Sequence, residues 1–294
     1  MKTRIGFVGL GLMGSGMVAN LISAGFAVIG YDLDRDRVTA FIKAGGKPVD
    51  DPAAMAAQAD VIMLSLPDSH VVDFVVGRSL KLFEIDCKGM ILIDTTTADP
   101  VMSEQLALKL RKKGIEMLDA TISGTSVMCA QRDITFMVGG DEKKFKKCEP
   151  IFSALAEKTY YLGENGSGAL MKLIVNLVLG LNRMVLAEGL SLGEKAGMDA
   201  QQLLEVLKQS AAYSKAMDMK GGKMVAADFL PAEGKLAFHL KDVHLMLDLG
   251  RRLNFPLLLS SLHAQALTSL VAGGKGDWDN AAIISFYRDF VNGG

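Results

Sequence analysis

Short apolar runs alternate with segments of helical periodicity from residue 5 to about residue 162. The runs are continuous rather than alternating, which is typical of parallel strands that helices cover on both faces. Asp51-Pro52 and Asp99-Pro100 each supply an N-cap residue and a first-turn proline for a helix. This part of the chain is therefore predicted to be an α/β domain. Its predicted strands are Ile5–Gly9, Ala27–Tyr31, Val61–Leu66, Met90–Asp94, Glu116–Asp119, Ile134–Val138 and Thr159–Leu162.

The pattern changes after the glycine-rich segment 163–168. About thirty residues then show helical periodicity, and no strand signal follows. We therefore expect a boundary here, with an α/β domain over residues 1–163 and an all-helical domain over residues 164–294. The further helices predicted in the second domain are Ala200–Ser210, Ala237–Arg252, Pro256–Val271 and Asp279–Phe290.

Composition and charge argue against a disordered chain and against a nucleic-acid-binding protein. Half of the 294 residues are apolar and 22% are charged, as in ordinary globular proteins. The 32 basic and 33 acidic residues leave a net charge of −1, so no basic field would attract a polyanion. We expect no nucleic-acid partner.

The cysteines and histidines indicate neither disulfides nor a metal. Cys87, Cys129 and Cys148 are odd in number and lack CxxC spacing, and the four histidines lack metal-binding spacing. We therefore predict a reduced, cytoplasmic protein without a metal site.

The most apolar stretch, residues 170–192, does not predict a membrane span because it contains side chains that are costly to place in lipid. The apolar N-terminal segment has the glycine spacing of a strand, loop and helix rather than of a secretory signal. We expect no membrane association. The polar residues of the apolar stretch are Lys172, Asn176, Asn182, Arg183 and Glu188.

A glycine motif provides the first chemical signal. Gly9, Gly11 and Gly14 form a GxGxxG pattern between a predicted strand and a predicted helix, Met13–Ala24. The glycines permit a tight turn, approach of the backbone to a pyrophosphate, and close packing of helix on strand, while the helix N-terminus offers N–H groups to phosphates. The motif predicts a Rossmann dinucleotide-binding domain whose loop positions are Gly9, Gly11, Leu12, Met13 and Gly14.

The acidic residue at the end of the next strand bears on the choice of cofactor. Asp32 lies 23 positions after Gly9, where a carboxylate accepts hydrogen bonds from ribose hydroxyls and repels a 2′-phosphate. This favours NAD. Arg35 and Arg37 are close enough in sequence to hold that phosphate instead, so NADP remains an alternative.

With the glycine loop, further segments make the chain resemble the β-hydroxyacid dehydrogenase family over essentially its whole length. This family includes 3-hydroxyisobutyrate dehydrogenases and the reductases of tartronate semialdehyde, of glyoxylate and of succinic semialdehyde. The resemblance implies a Rossmann domain followed by an all-α domain, a nicotinamide cofactor and a small carboxylate substrate. The segments that carry it are GFVGLGLMG, LSLP at residues 64–67, IDTTT at 93–97, DATISGT at 119–125, GSGALMKLIVN at 166–176 and LKD at 240–242.

The resemblance implies that Lys172 is the general acid/base. As aldehyde is reduced, an ammonium group would donate a proton to the developing alkoxide. Asn176 follows at i+4 and so shares a helix face with Lys172, where the resemblance makes it a substrate-binding residue. The alternative is that both residues lie on a solvated helix face.

The resemblance also implies a loop for the substrate carboxylate at Ser123, Gly124 and Thr125. Hydroxyl groups and backbone N–H groups after a strand can form an anion site. Thr125 replaces the family's usual second glycine, so the loop is expected to be less open. Arg132 receives no role from the sequence, and it could supplement the anion site or face solvent.

Four further positions are implied to contact the cofactor. Thr97 would hydrogen-bond the nicotinamide ribose or carboxamide, with Thr95 and Thr96 as competing candidates. Leu66 and Pro67 would line the cofactor at the carboxyl end of a strand, where open α/β sheets bind ligands. Lys241 would reach the cofactor from the helical domain.

These observations favour a dehydrogenase of small β-hydroxyacids, or a reductase of short aldehyde acids. An imine reductase on the same architecture and a non-catalytic NAD-binding module are the alternatives, and the presence of Lys172 argues against both. Residues 173–193 are apolar around much of the helix circumference, which predicts a homodimer or homotetramer through the helical domain. The sequence does not identify the hydroxyacid.

Overall fold

The computed structural model describes residues 3–292, which divide into two compact units after Lys172. The division falls inside a helix that begins at Ser167. The boundary after residue 163 expected from the sequence therefore stays a proposal, and each unit is described by itself below.

The first unit is built on an eight-stranded sheet with the order β3-β2-β1-β4-β5-β6-β7-β8. Neighbouring strands are parallel except for the antiparallel pair β6 and β7. The predicted strands are confirmed, but the two-residue strand β3 is too short to leave a pattern and was missed. The strands are β1 Arg4–Val8, β2 Ala27–Tyr31, β3 Lys47–Pro48, β4 Val61–Leu64, β5 Ile91–Asp94, β6 Glu116–Ser123, β7 Thr135–Gly140 and β8 Lys158–Tyr161.

Helices connect these strands, and aspartates begin most of them. Asp51 and Asp99 are N-caps with proline in the first turn, as the sequence predicts, and each accepts a hydrogen bond from a backbone N–H group. A π-helical turn, Val75–Ser79, extends α4. The helices are α1 Leu12–Ser23, α2 Arg35–Lys43, α3 Pro52–Ala56, α4 Ser69–Phe74, α5 Pro100–Arg111, α6 Ser126–Ala130 and α7 Glu142–Leu155.

The sheet is buried on both faces, which explains why its central strands are continuously apolar. Successive residues of a strand belong to two separate apolar clusters. Met63 and Ile93 lie in one cluster, and their neighbours Leu64 and Leu92 lie in the other. This is the three-layer arrangement of a doubly wound α/β domain, as predicted.

The second unit is helical throughout the part that the structure describes. One predicted helix differs: the segment from Asp279 begins with a 3₁₀ turn, Asn280–Ile283, before α13 continues it, because Asp279 caps the turn through the N–H group of Ala281. A π-helical turn, Met217–Gly221, precedes α10. The helices are α8 Ser167–Lys195, which crosses the division, and α9 Ala200–Gln209, α10 Gly222–Ala226, α11 Leu236–Arg252, α12 Leu258–Leu270 and α13 Ile284–Asn292.

Helix α8 is long and apolar enough, by length and composition alone, to cross a membrane. The core helix of a soluble protein meets the same criteria. Within the second unit, Leu173, Leu186 and Leu190 of α8 are buried in an apolar cluster formed with later helices. The helix therefore has the burial pattern of a core helix on one of its faces.

Two carboxyl groups are buried side by side in the centre of the sheet. Asp94, the last residue of β5, lies opposite Asp119 of β6 in the strand register. Burial raises the pKa of Asp94 to about 7, assisted by the charge of Asp119 and opposed by the N–H and hydroxyl groups of Thr96. Burial also raises the pKa of Asp119, against four hydrogen bonds that favour its charged form. Ionisation of Asp94 in the folded protein is therefore unfavourable.

This shift predicts a pH-dependent effect of Asp94→Asn. An unfolded aspartate ionises near pH 4 and the folded one near pH 7, so the native state loses stability as the pH rises through this window. Asparagine retains an acceptor for the N–H group of Thr96. We expect Asp94→Asn to raise the melting temperature relative to the unmodified protein by about 2 °C or more at pH 8, and by less at pH 5, in thermal unfolding scans.

Asp60→Asn is the control for this prediction. The Arg4 guanidinium holds the pKa of Asp60 below its usual range, so Asp60 is ionised at both pH values. Its replacement should lower the melting temperature equally at pH 5 and pH 8. The same difference at both pH values for Asp94→Asn would show that Asp94 does not titrate in this window.

Candidate active site

The glycine loop follows β1 at the point where the sheet order reverses, since β2 and β4 flank β1. Gly9 has a φ of +95°, and a Cβ atom there would lie 2.2 Å from the carbonyl oxygen of Ser65. A Cβ atom on Gly14 would lie 1.9 Å from the carbonyl oxygen of Gly9. Both positions therefore require glycine, and the loop lies at the switch point where open α/β sheets bind ligands.

Helix α1 begins at Leu12 with Gly11 at its N-cap, and no side chain caps it. Its first N–H groups are therefore suited to hold a pyrophosphate, with the charge favoured by the helix dipole. Leu12 is exposed at this end, and Met13 packs against the apolar cluster. The residues present thus fit a bound dinucleotide.

Asp32 holds this loop in place. Its Oδ2 atom accepts a hydrogen bond from Leu10 N–H at 2.7 Å, and its Oδ1 atom accepts one from Asp34 N–H at 2.9 Å. The Asp32 side chain is nearly buried. The carboxylate therefore fixes the turn after β1.

The two arginines after Asp32 are placed differently. Arg37 Nη1 lies 3.6 Å from Asp32 Oδ2 and would be 3.6 Å from a Cβ atom on Gly11, so its guanidinium borders the glycine loop. Arg35 instead pairs with Asp50, and both side chains are exposed. Arg37 alone of these two arginines stands at the loop.

The loops after β4 and β5 are tied together by threonines. Thr95 donates its hydroxyl hydrogen bond to the carbonyl oxygen of Leu64, and Thr96 accepts one from Leu66 N–H. Both threonines are buried, whereas Thr97 is partly exposed. This arrangement favours Thr97 over its two neighbours as a cofactor contact. A Cβ atom on Gly9 would lie 3.3 Å from Leu66 Cδ2, and Pro67 follows Leu66 in the same loop.

The first turn of α8 is held against the sheet by two side chains of β6. Asp119 accepts hydrogen bonds from Gly166 N–H at 2.9 Å and Ala169 N–H at 3.0 Å, and Thr121 donates one to the Gly168 carbonyl oxygen at 2.7 Å. A Cβ atom on Gly168 would lie 2.3 Å from the Asp119 carbonyl oxygen, so the helix approaches the strand closely.

Lys172 follows one turn later and is partly exposed. Because Asp119 is level with the last residue of β5, α8 begins at the carboxyl edge of the parallel strands. Sequence reasoning missed the roles of Asp119 and Thr121. The available signal was an aspartate at the predicted end of a strand, directly before the proposed substrate loop.

The proposed substrate loop leads from β6 into α6. Gly124 has a φ of +148°, and a Cβ atom there would lie 2.6 Å from the Ile134 side chain. Thr125 is the N-cap of α6, and its hydroxyl accepts a hydrogen bond from Met128 N–H. The threonine that replaces the usual glycine thus begins a short helix, and Ser123 ends the strand just before it.

Arg132 lies outside this loop and contacts α7. Its φ is +64°, and its Nη2 atom donates a hydrogen bond to the carbonyl oxygen of Ser153 in α7. The side chain is exposed. Of the two roles left open by the sequence, the structure favours the solvent-exposed one.

In the second unit, Asn176 is oriented by a carboxylate of α11. Its Nδ2 atom donates to Asp242 Oδ2 at 2.9 Å, and both residues are buried. Lys241 Nζ lies 3.3 Å from the other oxygen of Asp242. The structure thus brings Asn176 and Lys241 to one carboxylate, whose role sequence reasoning had not assigned.

Across residues 3–292, no group of three or more His, Cys, Asp or Glu side chains is placed to hold a metal ion. In the first unit the candidate residues offer hydroxyl groups, backbone N–H groups and the amino group of Lys172, and in the second unit they offer the amide of Asn176 and the amino group of Lys241. Groups of these kinds can bind anions and exchange a proton with a substrate oxygen.

Comparison with known protein families assigns both halves of the chain. The family described as the NAD binding domain of 6-phosphogluconate dehydrogenase matches residues 4–163. The family described as the NAD-binding domain of NADP-dependent 3-hydroxyisobutyrate dehydrogenase matches residues 166–287.

Curated relatives align over nearly the whole chain. A 2-(hydroxymethyl)glutarate dehydrogenase of Eubacterium barkeri is 30% identical, covering 98% of this chain and 96% of its own. The mitochondrial 3-hydroxyisobutyrate dehydrogenase of Bos taurus is 31% identical, covering 98% of this chain and 88% of its own.

Solved structures show the same architecture. A 3-hydroxyisobutyrate dehydrogenase of Mycobacterium tuberculosis, solved with L-serine, has a TM-score of 0.89 at 28% identity, and the match covers 98% of this chain and 100% of that one. An imine reductase of a Pseudomonas species has a TM-score of 0.59 at 19% identity over 97% of this chain and 99% of its own, which shows a shared fold alone.

These matches extend through the dinucleotide loop, the helix that carries Lys172 and the helical unit. The chain therefore belongs to the β-hydroxyacid dehydrogenase family, the NAD(P)-dependent oxidoreductases that act on the CH–OH group of hydroxyacids.

Proposed function

We propose that this protein interconverts a short β-hydroxyacid and the corresponding aldehyde acid, with Lys172 as general acid/base. The observation that carries the proposal is the fixed first turn of α8, which Asp119 and Thr121 of β6 hold at the carboxyl edge of the parallel strands. Lys172 lies one helical turn after this first turn. The glycine loop lies at the same carboxyl edge of the sheet, after β1.

The proposed reduction divides the chemistry between cofactor and protein. When bound, NAD(P)H would supply a hydride, with its two electrons, to the carbonyl carbon, and NAD(P)+ would take up the hydride in the oxidation direction. As the C=O π bond breaks, Lys172 Nζ donates a proton to the developing alkoxide, and the alcohol forms. In the oxidation direction, neutral Lys172 accepts the hydroxyl proton.

The remaining proposed residues orient the substrate. Ser123 is the last residue of β6, and Gly124 and Thr125 follow it; a hydroxyl and backbone N–H groups at this strand end can hold the carboxylate next to the reacting carbon. Asn176 presents a side-chain amide that Asp242 fixes in one orientation. Lys241, at the same carboxylate, is proposed to reach the cofactor.

Relatives that act on 3-hydroxyisobutyrate, 2-(hydroxymethyl)glutarate and L-threonate support a small carboxylate as substrate. The functional test is a screen of NADH and NADPH oxidation with glyoxylate, succinic semialdehyde, tartronate semialdehyde and methylmalonate semialdehyde. Oxidation of reduced cofactor with one of these acids supports the proposal. Cofactor binding without turnover of any of them would favour the non-catalytic module.

Replacement of Lys172 tests its role directly. We expect Lys172→Ala to leave NADH binding nearly intact, because the glycine loop is separate, and to lower turnover by about 10²- to 10⁴-fold, as general acid/base groups do. Fluorescence titration with NADH and steady-state turnover measure the two effects. Lys195→Ala, an exposed lysine at the other end of α8, is the matched control. Turnover like that of the unmodified protein in Lys172→Ala would remove this lysine from the mechanism.

We propose NAD as the preferred cofactor because Asp32 is fixed by two backbone N–H groups where a 2′-phosphate would be repelled. NADH should therefore give a higher kcat/KM than NADPH, and Asp32→Ser should narrow or invert this ratio. Arg37→Ala serves as the companion variant. If Arg37 binds a 2′-phosphate, its loss will reduce activity with NADPH selectively, and a preference for NADPH in the unmodified protein would refute the assignment to Asp32.

We propose a homodimer or homotetramer formed through the helical unit. Opposite its buried face, α8 exposes an apolar stripe over several turns, and α12 exposes Leu258, Leu259 and Leu262. Monomeric proteins rarely leave such a long apolar surface in water. The exposed residues of the α8 stripe in this unit are Ile174, Val178, Val185 and Leu192.

A charge within this stripe should disrupt the assembly. We expect the unmodified protein to sediment as a dimer or tetramer, and Val185→Asp to shift it toward the 31.5 kDa monomer, because an interface would bury the new carboxylate. Leu108→Asp, at an exposed position of α5, should leave the assembly unchanged. A monomer at micromolar concentration would contradict the proposed oligomer.

We also propose a cytoplasmic location, supported by three cysteines that are all free and buried.

A further inference from the structure

The segment that leads into α8 contains a chemically labile pair of residues. Asn165 is followed by Gly166, and Asn292-Gly293 is the only other Asn-Gly pair in the sequence. In such a pair the backbone nitrogen of glycine can attack the side-chain amide of asparagine, since glycine has no side chain to hinder the approach. The backbone at position 166 has a φ of +92°, which favours glycine there. The fold therefore keeps a labile pair directly before the helix that carries Lys172.

The side chain of Asn165 is held by its neighbours in the folded protein. Its Nδ2 atom donates a hydrogen bond to the Met117 carbonyl oxygen at 2.8 Å and a longer one to Asp119 Oδ1 at 3.5 Å. Its Oδ1 atom accepts one from Arg111 Nη2 at 3.3 Å. The amide thus joins β6 and the last residue of α5 at the point where α8 begins.

The nitrogen that would attack is held as well. Gly166 is buried, and its N–H group donates a hydrogen bond to Asp119 Oδ1 at 2.9 Å. The nitrogen must lose this proton to become a nucleophile, and the loss would leave two acceptors facing each other in a buried place. The contacts that begin α8 therefore oppose the reaction from both sides.

We propose that Asn165 is a site of spontaneous deamidation, which is suppressed while Asp119 and Thr121 hold the first turn of α8 and proceeds when this turn opens. The Gly166 nitrogen loses its proton and forms a bond to Asn165 Cγ. The Cγ–Nδ2 bond breaks, and ammonia leaves with the equivalent of that proton. Water then adds to either carbonyl carbon of the cyclic imide and opens it to aspartate or isoaspartate, with no change in oxidation state.

The product does not fit the contacts that hold the amide. A carboxylate at position 165 has an oxygen where Nδ2 now donates, next to the Met117 carbonyl oxygen and Asp119 Oδ1. These are acceptors, so the new oxygen is repelled. Isoaspartate also adds a methylene group to the backbone just before Gly166. Deamidation therefore prevents the first turn of α8 from closing as before. An effect on turnover through Lys172 rests on the proposed function, whereas the modification itself does not.

Peptide mapping by mass spectrometry, after incubation of the folded protein at pH 8, measures the rate of deamidation at Asn165. We expect Asp119→Asn to increase this rate about 10- to 100-fold, because a hydrogen bond to a charged group shifts a local opening equilibrium by about this factor. Thr121→Val, which removes the hydroxyl bond to the Gly168 carbonyl oxygen, should increase it by a smaller factor.

Asp60→Asn is the control for general loss of stability. It weakens the contact of Asp60 with Arg4 at the beginning of β1, away from α8. This variant should have a lower melting temperature and an unchanged rate at Asn165. Protein unfolded in concentrated urea supplies the intrinsic rate, which should be similar for Asn165 and Asn292 and at least about 10-fold above that of Asn165 in the folded protein.

Asn165→Asp reproduces one of the two products. We expect faster amide hydrogen exchange over residues 166–173 and lower turnover, with NADH binding nearly intact because the glycine loop is separate. Asn254→Asp makes the same chemical change at an exposed position of the second unit and should have neither effect.

The outcomes separate this inference from the proposed function. Equal rates at Asn165 in the folded and unfolded protein would overturn the suppression by the fold. A rate in Asp119→Asn equal to or below that of the unmodified protein would also overturn it, and the slower rate would make Asp119 a base that promotes the reaction. Unchanged exchange over residues 166–173 in Asn165→Asp would overturn the structural consequence. Absence of turnover in the unmodified protein would overturn the proposed function and leave the rates and the exchange to decide this inference.

Discussion

The carboxylate of Asp119 is the contact on which the candidate site depends. Both of its oxygens accept N–H groups from the beginning of α8, and Thr121 on the same strand binds the Gly168 carbonyl oxygen. The helix N-terminus would otherwise leave these N–H groups without acceptors in a buried place. One strand thus fixes the start of the helix that carries Lys172, and it continues into the proposed carboxylate loop at Ser123.

The contact between Asp119 and α8 is buried, and burial disfavours the ionised form of the carboxyl group. Asp119 and Asp94 lie side by side in the sheet, and burial raises the pKa of both. The N–H groups of α8 favour the ionised form of Asp119, while Asp94 has fewer such donors. The N–H groups at the start of α8 therefore offset part of the cost of burying Asp119.

The features predictable from sequence are those encoded by neighbouring residues. The continuous strands, the aspartate caps at Asp51 and Asp99, and the glycine loop depend on local pattern and backbone conformation. Contacts between residues that are distant in sequence could not be predicted. Asp119 and the start of α8 are 47 and 50 residues apart, and Asn176 and Asp242 are 66 apart.

Arg132 and Thr125 illustrate the same limit at single positions. The sequence left Arg132 between an anion site and solvent, and its bond to Ser153 is formed only when α7 packs nearby. Thr125 departs from the family pattern, and its capping of α6 gives the departure a local reason. From the sequence, Arg183 was noted only as a charged residue that argues against a membrane span. Its neighbours at positions 242 and 279 become apparent once the helices are packed.

The central claim, that Asp119 holds the first turn of α8 in place, is tested most directly by amide hydrogen exchange in Asp119→Ala. The account predicts faster exchange over residues 166–173 than in the unmodified protein, with unchanged protection over residues 186–190 of the same helix. Equal protection of residues 166–173 in the two proteins would show that this turn is held by other contacts, and would contradict the account.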